Sequence, residues 1–235
     1  MNFQCKYRSA SGGRVSTNRP AAKATDNGDA ERGGPYHHGN LKQALLDAAE
    51  ALLRREGVGG LSLRAAAAEV GVSHAAPKNH FGDLRGLQSE LAASGFRRLA
   101  VEMRAALDEA ATADDAMDAI GRAYVAFAIA NPGLFNLMYR GEMLDSDRPA
   151  LKSALVDMAT LLRGAVAARA GGASGANPAA IVAGVTAAWS LVHGFATLLV
   201  DGRLAPLLAH VQGENPEGAL LDLVLSSQKA RGTVR

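Results

Sequence analysis

The sequence predicts an all-α protein, and three observations carry that reading. Hydrophobic residues make up 48% of the chain while aromatics make up only 5%, so the core is filled by alanine, leucine and valine, residues that suit closely packed helices. Apolar positions recur at three- and four-residue intervals, and alternating β-branched runs are almost absent. Helix-start signals (Ser, Asp, Asn-Pro) stand at the heads of these periodic segments. About nine helices are expected: residues 36–88 as a short N-terminal unit and residues 89–235 as a helical bundle.

Residues 1–35 are rich in Ser, Gly, Asn and charge without apolar periodicity, with six basic and three acidic side chains. A segment of this kind cannot offset the entropy of ordering and reads as a disordered tail. Arg14, Arg19, Lys23 and Arg32 would make it a basic arm for a nucleic acid. Helix one runs from about Asn40 to Arg55 with Leu41, Leu45, Ala48 and Leu52 on one stripe, and Gly57 ends it. A second helix opens at Ser62, a capping residue, and places Leu63, Ala66, Ala67 and Val70 at i, i+3, i+4, i+7. Gly71 supplies the freedom of a sharp C-terminus, and Ser73 is placed to cap a third helix from His74 to about Phe81.

Two helices this short are marginal alone, because isolated helices under roughly 12 to 15 residues are unstable in water. They need neighbours to hold them, and the arrangement makes sense as a helix-turn-helix that presents its second member. That member carries His74, Ala75, Lys78, Asn79 and His80: hydrogen-bond donors, one cation, small residues at its start and no carboxylate. A major groove about 12 Å wide admits such a helix; Asn pairs bidentately with adenine, and Lys or His reaches guanine or phosphate. Ser73 and the amides at the helix start suit a phosphate. Pro77 costs one hydrogen bond at the edge of the first turn, which leaves a short, stiff helix possible.

From Asp83, a cap, a long helix is expected to about Ala111 with Leu87, Leu91, Leu99, Met103 and Leu107 in line. Its Gly95 costs about 1 kcal/mol relative to alanine, a cost that close packing would justify. Asp114 to Ala130 follows with Met117, Ile120, Tyr124 and Phe127 inward, then a short helix from Asn131-Pro132 through Phe135, Met138 and Tyr139. After the loop 145–149 come a helix from Leu151 to Arg169, a break at 171–177, the most apolar helix from Pro178 to Val200, and a last helix from Pro216 through Gln228.

Tyr36-His-His-Gly-Asn-Leu41, the Leu61-Ser-Leu-Arg64 entry, Gly71-Val-Ser73 and His80-Phe81 with Asp83 resemble the tetracycline-repressor (TetR/AcrR) family. Asn131-Pro-Gly-Leu-Phe135 and Trp189-Ser-Leu-Val-His193-Gly194 resemble its Trp-His-Gly C-terminal subgroup. The resemblance implies a homodimeric, ligand-responsive repressor that binds a double-stranded, palindromic DNA operator and is released by a small-molecule effector. It implies contacts to DNA from Tyr36, His37, Ser62 and Arg64 as well as from the third helix. Two departures stand out: Lys78 replaces the tyrosine usual at a phosphate contact, and Leu84 replaces a lysine, so that Arg85 would take over the backbone contact. An effector pocket in the body would be lined by Tyr124, Phe127, Phe135, Met138, Tyr139, Trp189 and His193. Their alanine- and methionine-rich surroundings favour an apolar or aromatic ligand. A two-fold four-helix seam would use Pro178–Val200 and Leu221, Val224 and Leu225.

Competing classes find little support. No i, i+4 histidine pair, glycine-rich phosphate loop or nucleophile beside a base is present, so neither enzyme activity nor a cofactor is expected; the alternative is a helical small-molecule-binding protein or enzyme without DNA-binding activity. His37 and His38 lack matching cysteines or carboxylates for a metal. The formal charge of +2 is too small to argue for DNA by itself. A single cysteine, Cys5, leaves no intramolecular disulfide and fits a reducing cytoplasm. The N-terminus lacks the apolar core of a signal peptide. The stretch 178–200, interrupted by Thr186, Ser190, His193 and Thr197, reads as a buried helix, with no membrane involvement.

Overall fold

The computed structural model describes residues 41–172 and 177–232. They form ten α-helices: α1 Leu41–Glu56, α2 Leu63–Val70, α3 Ala75–Phe81, α4 Leu84–Asp108, α5 Ala113–Ala130, α6 Pro132–Met138, α7 Pro149–Arg169, α8 Pro178–Val200, α9 Ala205–Leu208 and α10 Pro216–Gly232. No strand occurs among the described residues. The described helices belong to one compact unit. The count exceeds the expected nine by α9, a single turn whose four residues carry no periodicity of their own. Tyr36, His37 and the basic residues of the N-terminal segment lie outside the described residues.

Local chemistry explains most of the boundaries. Ser62 accepts from the Ala65 amide at 3.1 Å, Asp83 from Gly86 at 2.8 Å and Thr112 from Asp115 at 3.1 Å, each satisfying an orphan donor of a first turn. Asn131, Asn177 and the Pro that follows each set the start of α6 and α8. Gly71 ends α2 in the left-handed region at φ 73° and returns its amide to Ala67 and Ala68. One expectation fails here. His74, not Ser73, occupies the cap position of α3 and makes no side-chain cap bond; Ser73 contributes only its carbonyl, to the Ala76 amide at 3.0 Å.

α4 is the spine of the fold. It packs on α1 and α3 at its N-terminal end and on α5, α6 and α7 beyond, and every residue from Gly86 to Ala93 is buried. Two glycines permit this closeness. A Cβ on Gly86 would collide with the Phe81 carbonyl, and one on Gly95 would stand 2.5 Å from Met138 Sδ. Polar pairs fix the same junction: Arg98 on α4 reaches Glu50 at 2.8 Å and Asn131 at 2.6 Å.

α8 departs from its expected burial. It is long and apolar enough to cross a membrane by composition, with mean hydropathy 1.6, yet only 11% of that window is buried. It packs on α5 and α7, burying Phe195 and Ala196 while leaving Val182 57% and Trp189 44% exposed. Leu221 and Leu225 of α10, expected at a seam, are buried in the chain's own core, whereas Leu223 is 64% exposed.

Candidate nucleic-acid interface and body cavity

The outer surface of α3 is built by what lies beneath it. Pro77 and Phe81 point into the core, and this rotates Ala75, Lys78, Asn79 and His80 outward, with Ser73 and His74 exposed in the turn before them. The face therefore carries an amide, a lysine, two imidazoles and a hydroxyl, and no carboxylate. Pro77 is fully buried and anchors the helix. Gly82, at φ 83°, closes the helix by donating its amide to Lys78 at 2.8 Å. Arg64 is exposed at the start of α2, and Glu69, the nearest exposed carboxylate on that helix, is held by Arg55 at 2.6 Å. Ser62 is used as a cap.

Arg85 is exposed at the start of α4. Its guanidinium donates to the Leu144 carbonyl at 2.7 Å, tying the start of α4 to the loop before α7. A second arginine reinforces that tie. Arg148, at the cap position of α7, donates to Glu90 at 2.9 Å and to the Phe81 carbonyl at the end of α3 at 3.1 Å. Lys42 of α1 completes the group with a 2.9 Å bridge to Glu90. Burial by itself would raise the Glu90 carboxyl, but the hydrogen bonds and charges of Lys42 and Arg148 outweigh it and hold the group below its ordinary range. This cluster joins α1, α3, α4 and α7 at one point. Its partners are 48 to 67 residues apart along the chain, which is why sequence reading gave no sign of it.

A cavity of about 450 Å³ opens in the body between α5, α7 and α8, with Met103 of α4 and Leu225 of α10 contributing to its wall. Of the seven residues expected there, Tyr124, Tyr139 and Trp189 line it. Phe127, Phe135 and Met138 are buried core residues that hold α5 and α6 against α4. His193 stands one layer behind the wall: its Nδ1 lies 2.8 Å from the Tyr124 hydroxyl, which lies 2.7 Å from that of Tyr139. Its ring packs on Tyr139 at 4.3 Å and on Trp189 at 5.7 Å between centroids. The four-residue interval from Trp189 to His193 puts both on one face of α8, above these phenols. Burial pushes the Tyr139 hydroxyl up to about 12, raises Tyr124 further with help from Tyr139, and lowers His193. The cluster is therefore uncharged at neutral pH. Sequence reading missed the residues of α7 that form the opposite wall, Met158, Leu162 and Val166 among them, because they look like any apolar helical stripe.

Comparison with known proteins agrees with this architecture. Residues 117–215 match the model of the tetracyclin repressor-like C-terminal domain. The uncharacterized HTH-type transcriptional regulator YobS of Bacillus subtilis (strain 168) is 35% identical over 97 residues, 41% of this chain; the match spans about half (50%) of that relative's length. A solved protein of unknown function from Rhodococcus sp. RHA1 is 36% identical with a TM-score of 0.65, covering 82% of this chain and 97% of that one. The TetR family transcriptional regulator PfmR from Thermus thermophilus shares the fold at 22% identity and a TM-score of 0.54, over 77% of this chain and 97% of its own. With a helix-turn-helix at one end and residues 117–215 matching a tetracyclin repressor-like C-terminal domain at the other, this chain is similar to the tetracycline-repressor (TetR) family of transcriptional regulators and shares its fold.

Proposed function

We propose that the protein is a homodimeric, cytoplasmic, ligand-responsive repressor that binds a palindromic operator. The observation that carries this reading is the outer face of α3, where Ser73, His74, Ala75, Lys78, Asn79 and His80 are all exposed and no carboxylate intrudes. On DNA, Asn79 reads an adenine edge, Lys78 reaches guanine or phosphate, and Ser73, His80 and Arg64 serve as backbone contacts. Ser62 and Arg85 act indirectly, by capping α2 and by anchoring α4. Tyr36 and His37 join as phosphate contacts from the segment ahead of α1.

Two copies associate through α8 and α10, whose exposed Val182, Trp189 and Leu223 are apolar surface that water disfavours. Their recognition helices then stand about 34 to 36 Å apart, one turn of the duplex, or somewhat more. An effector in the body cavity shifts that spacing. α7 is suited to carry the change, since Met158, Leu162 and Val166 line the cavity while Arg148 at its head holds the end of α3. Such an effector acts only through its unequal affinity for the two spacings.

Selection of bound duplexes from a random library tests the reading, with Lys78→Ala and Asn79→Ala alongside. An inverted repeat is expected, weakened by both substitutions, with Asn79→Ala relaxing one base position by the equivalent of about 1–3 kcal/mol. A library that yields no enriched repeat, or one indifferent to Asn79, would refute it.

A further inference from the structure

The cavity has two ends of different character. It is bordered by α8 from Ala180 to Val192, which at 1.5 Å per residue is a run of roughly 18 Å, and its volume is about 450 Å³. At the α7 C-terminal end stand Arg169 and Asp118. The Arg169 guanidinium is engaged by Asp114 at 2.6 Å. One guanidinium, already paired with Asp114, stands at that end with a second carboxylate, Asp118, also in the lining, so the end has no net positive charge to receive an anion.

The other end holds the phenol pair. Tyr139, Tyr124 and His193 are three groups joined by two hydrogen bonds, and only the two tyrosines line the cavity. The proton order along this chain has two solutions. With Nδ1 of His193 protonated, His193 donates to Tyr124, Tyr124 donates to Tyr139, and the Tyr139 hydrogen is left to donate into the cavity. With Nδ1 bare, Tyr139 donates to Tyr124, Tyr124 donates to His193, and the Tyr139 oxygen is left to accept. Both solutions are neutral imidazole tautomers, so the exchange needs no net charge. Between them, the Tyr139 hydroxyl serves a carbonyl or an alcohol equally.

Resting on the reading of this cavity as the effector site, we propose that it takes an elongated, uncharged, apolar molecule whose single hydroxyl or carbonyl oxygen meets the Tyr139 hydroxyl. A carboxylate drawn to the same end would lose its water and gain no cation in return.

Titration calorimetry of the full chain with 1-decanol, decan-2-one and decanoate at neutral pH tests this, using wild type, Tyr139→Phe and Arg169→Gln. Wild type is expected to bind the alcohol and the ketone at least tenfold more tightly than decanoate. Tyr139→Phe, confirmed as folded by its melting curve, weakens both by about three- to tenfold through the lost hydrogen bond. Decanoate binding as tightly as decanol and lost on Arg169→Gln would overturn the proposal, as would neutral probes that fail to bind or that ignore Tyr139→Phe. Duplex selection scores the regulator reading separately. A chain that enriches an operator yet prefers decanoate keeps that reading and loses this one, and a chain that binds decanol through Tyr139 without enriching DNA does the reverse.

Discussion

Replacing Glu90 by Gln tests whether the buried charge cluster holds α3 to the body. Its carboxylate is 9% exposed and receives both Arg148 at 2.9 Å and Lys42 at 2.9 Å. Breaking a fully buried pair by removing one partner costs about 3–5 kcal/mol. Here Lys42 is 48% exposed and returns to water freely, while Arg148, 21% exposed, keeps its bond to the Phe81 carbonyl. A loss of about 2–3 kcal/mol is therefore expected at neutral pH, equivalent to a fall in Tm of roughly 5–10 °C for a chain of this size. The pH dependence has a definite sign. A carboxyl held below its unfolded value contributes stability that is present above the unfolded pKa and lost as pH falls through the folded one. Wild type should therefore lose stability through the acid side of the ordinary carboxylate range, and Glu90→Gln should lose less over the same interval. Thermal unfolding at fixed protein concentration, repeated from neutral to acidic pH, reads both effects. A variant with an unchanged Tm at neutral pH and the wild-type acid slope would refute the account of this junction.

Gly86→Ala sets local propensity against packing. Alanine favours a helix by about 1 kcal/mol over glycine, but its Cβ would collide with the Phe81 carbonyl and crowd Arg148 at 2.7 Å, so a net loss of about 2 kcal/mol is expected in urea unfolding. The association surface is tested by Val182→Asp combined with Leu223→Asp. Sedimentation at micromolar concentration is expected to show a dimer for wild type and a monomer for the variant, and a monomeric wild type would end the dimer proposal.

The parts of this fold legible in the sequence are those decided within a few residues. Ser62 and Asp83 announce α2 and α4 because a cap needs only its own side chain and an amide three residues on, and Asn177-Pro178 announces α8 for the same reason. Burial was less legible. Phe127, Phe135 and Met138 are large apolar side chains like the cavity's Tyr139 and Trp189, and only the packing of α5, α6 and α8 separates core from wall. The bond from Arg85 to the Leu144 carbonyl was not legible, because the two residues lie 59 positions apart. The hydropathy of α8 reports what its side chains avoid, not what covers them, so the same stripe was compatible with a buried helix and with an exposed one.

Trp189 is the only tryptophan of the chain. Its indole lines the cavity and packs against the His193 ring, and the residue is 44% exposed. Its intrinsic emission thus belongs to a single, assigned position that senses the polarity on both sides of one helix. Filling the cavity dries the inner face and covering α8 dries the outer, so an unlabelled sample carries its own optical probe of both events, and dilution separates them, since only the second depends on protein concentration.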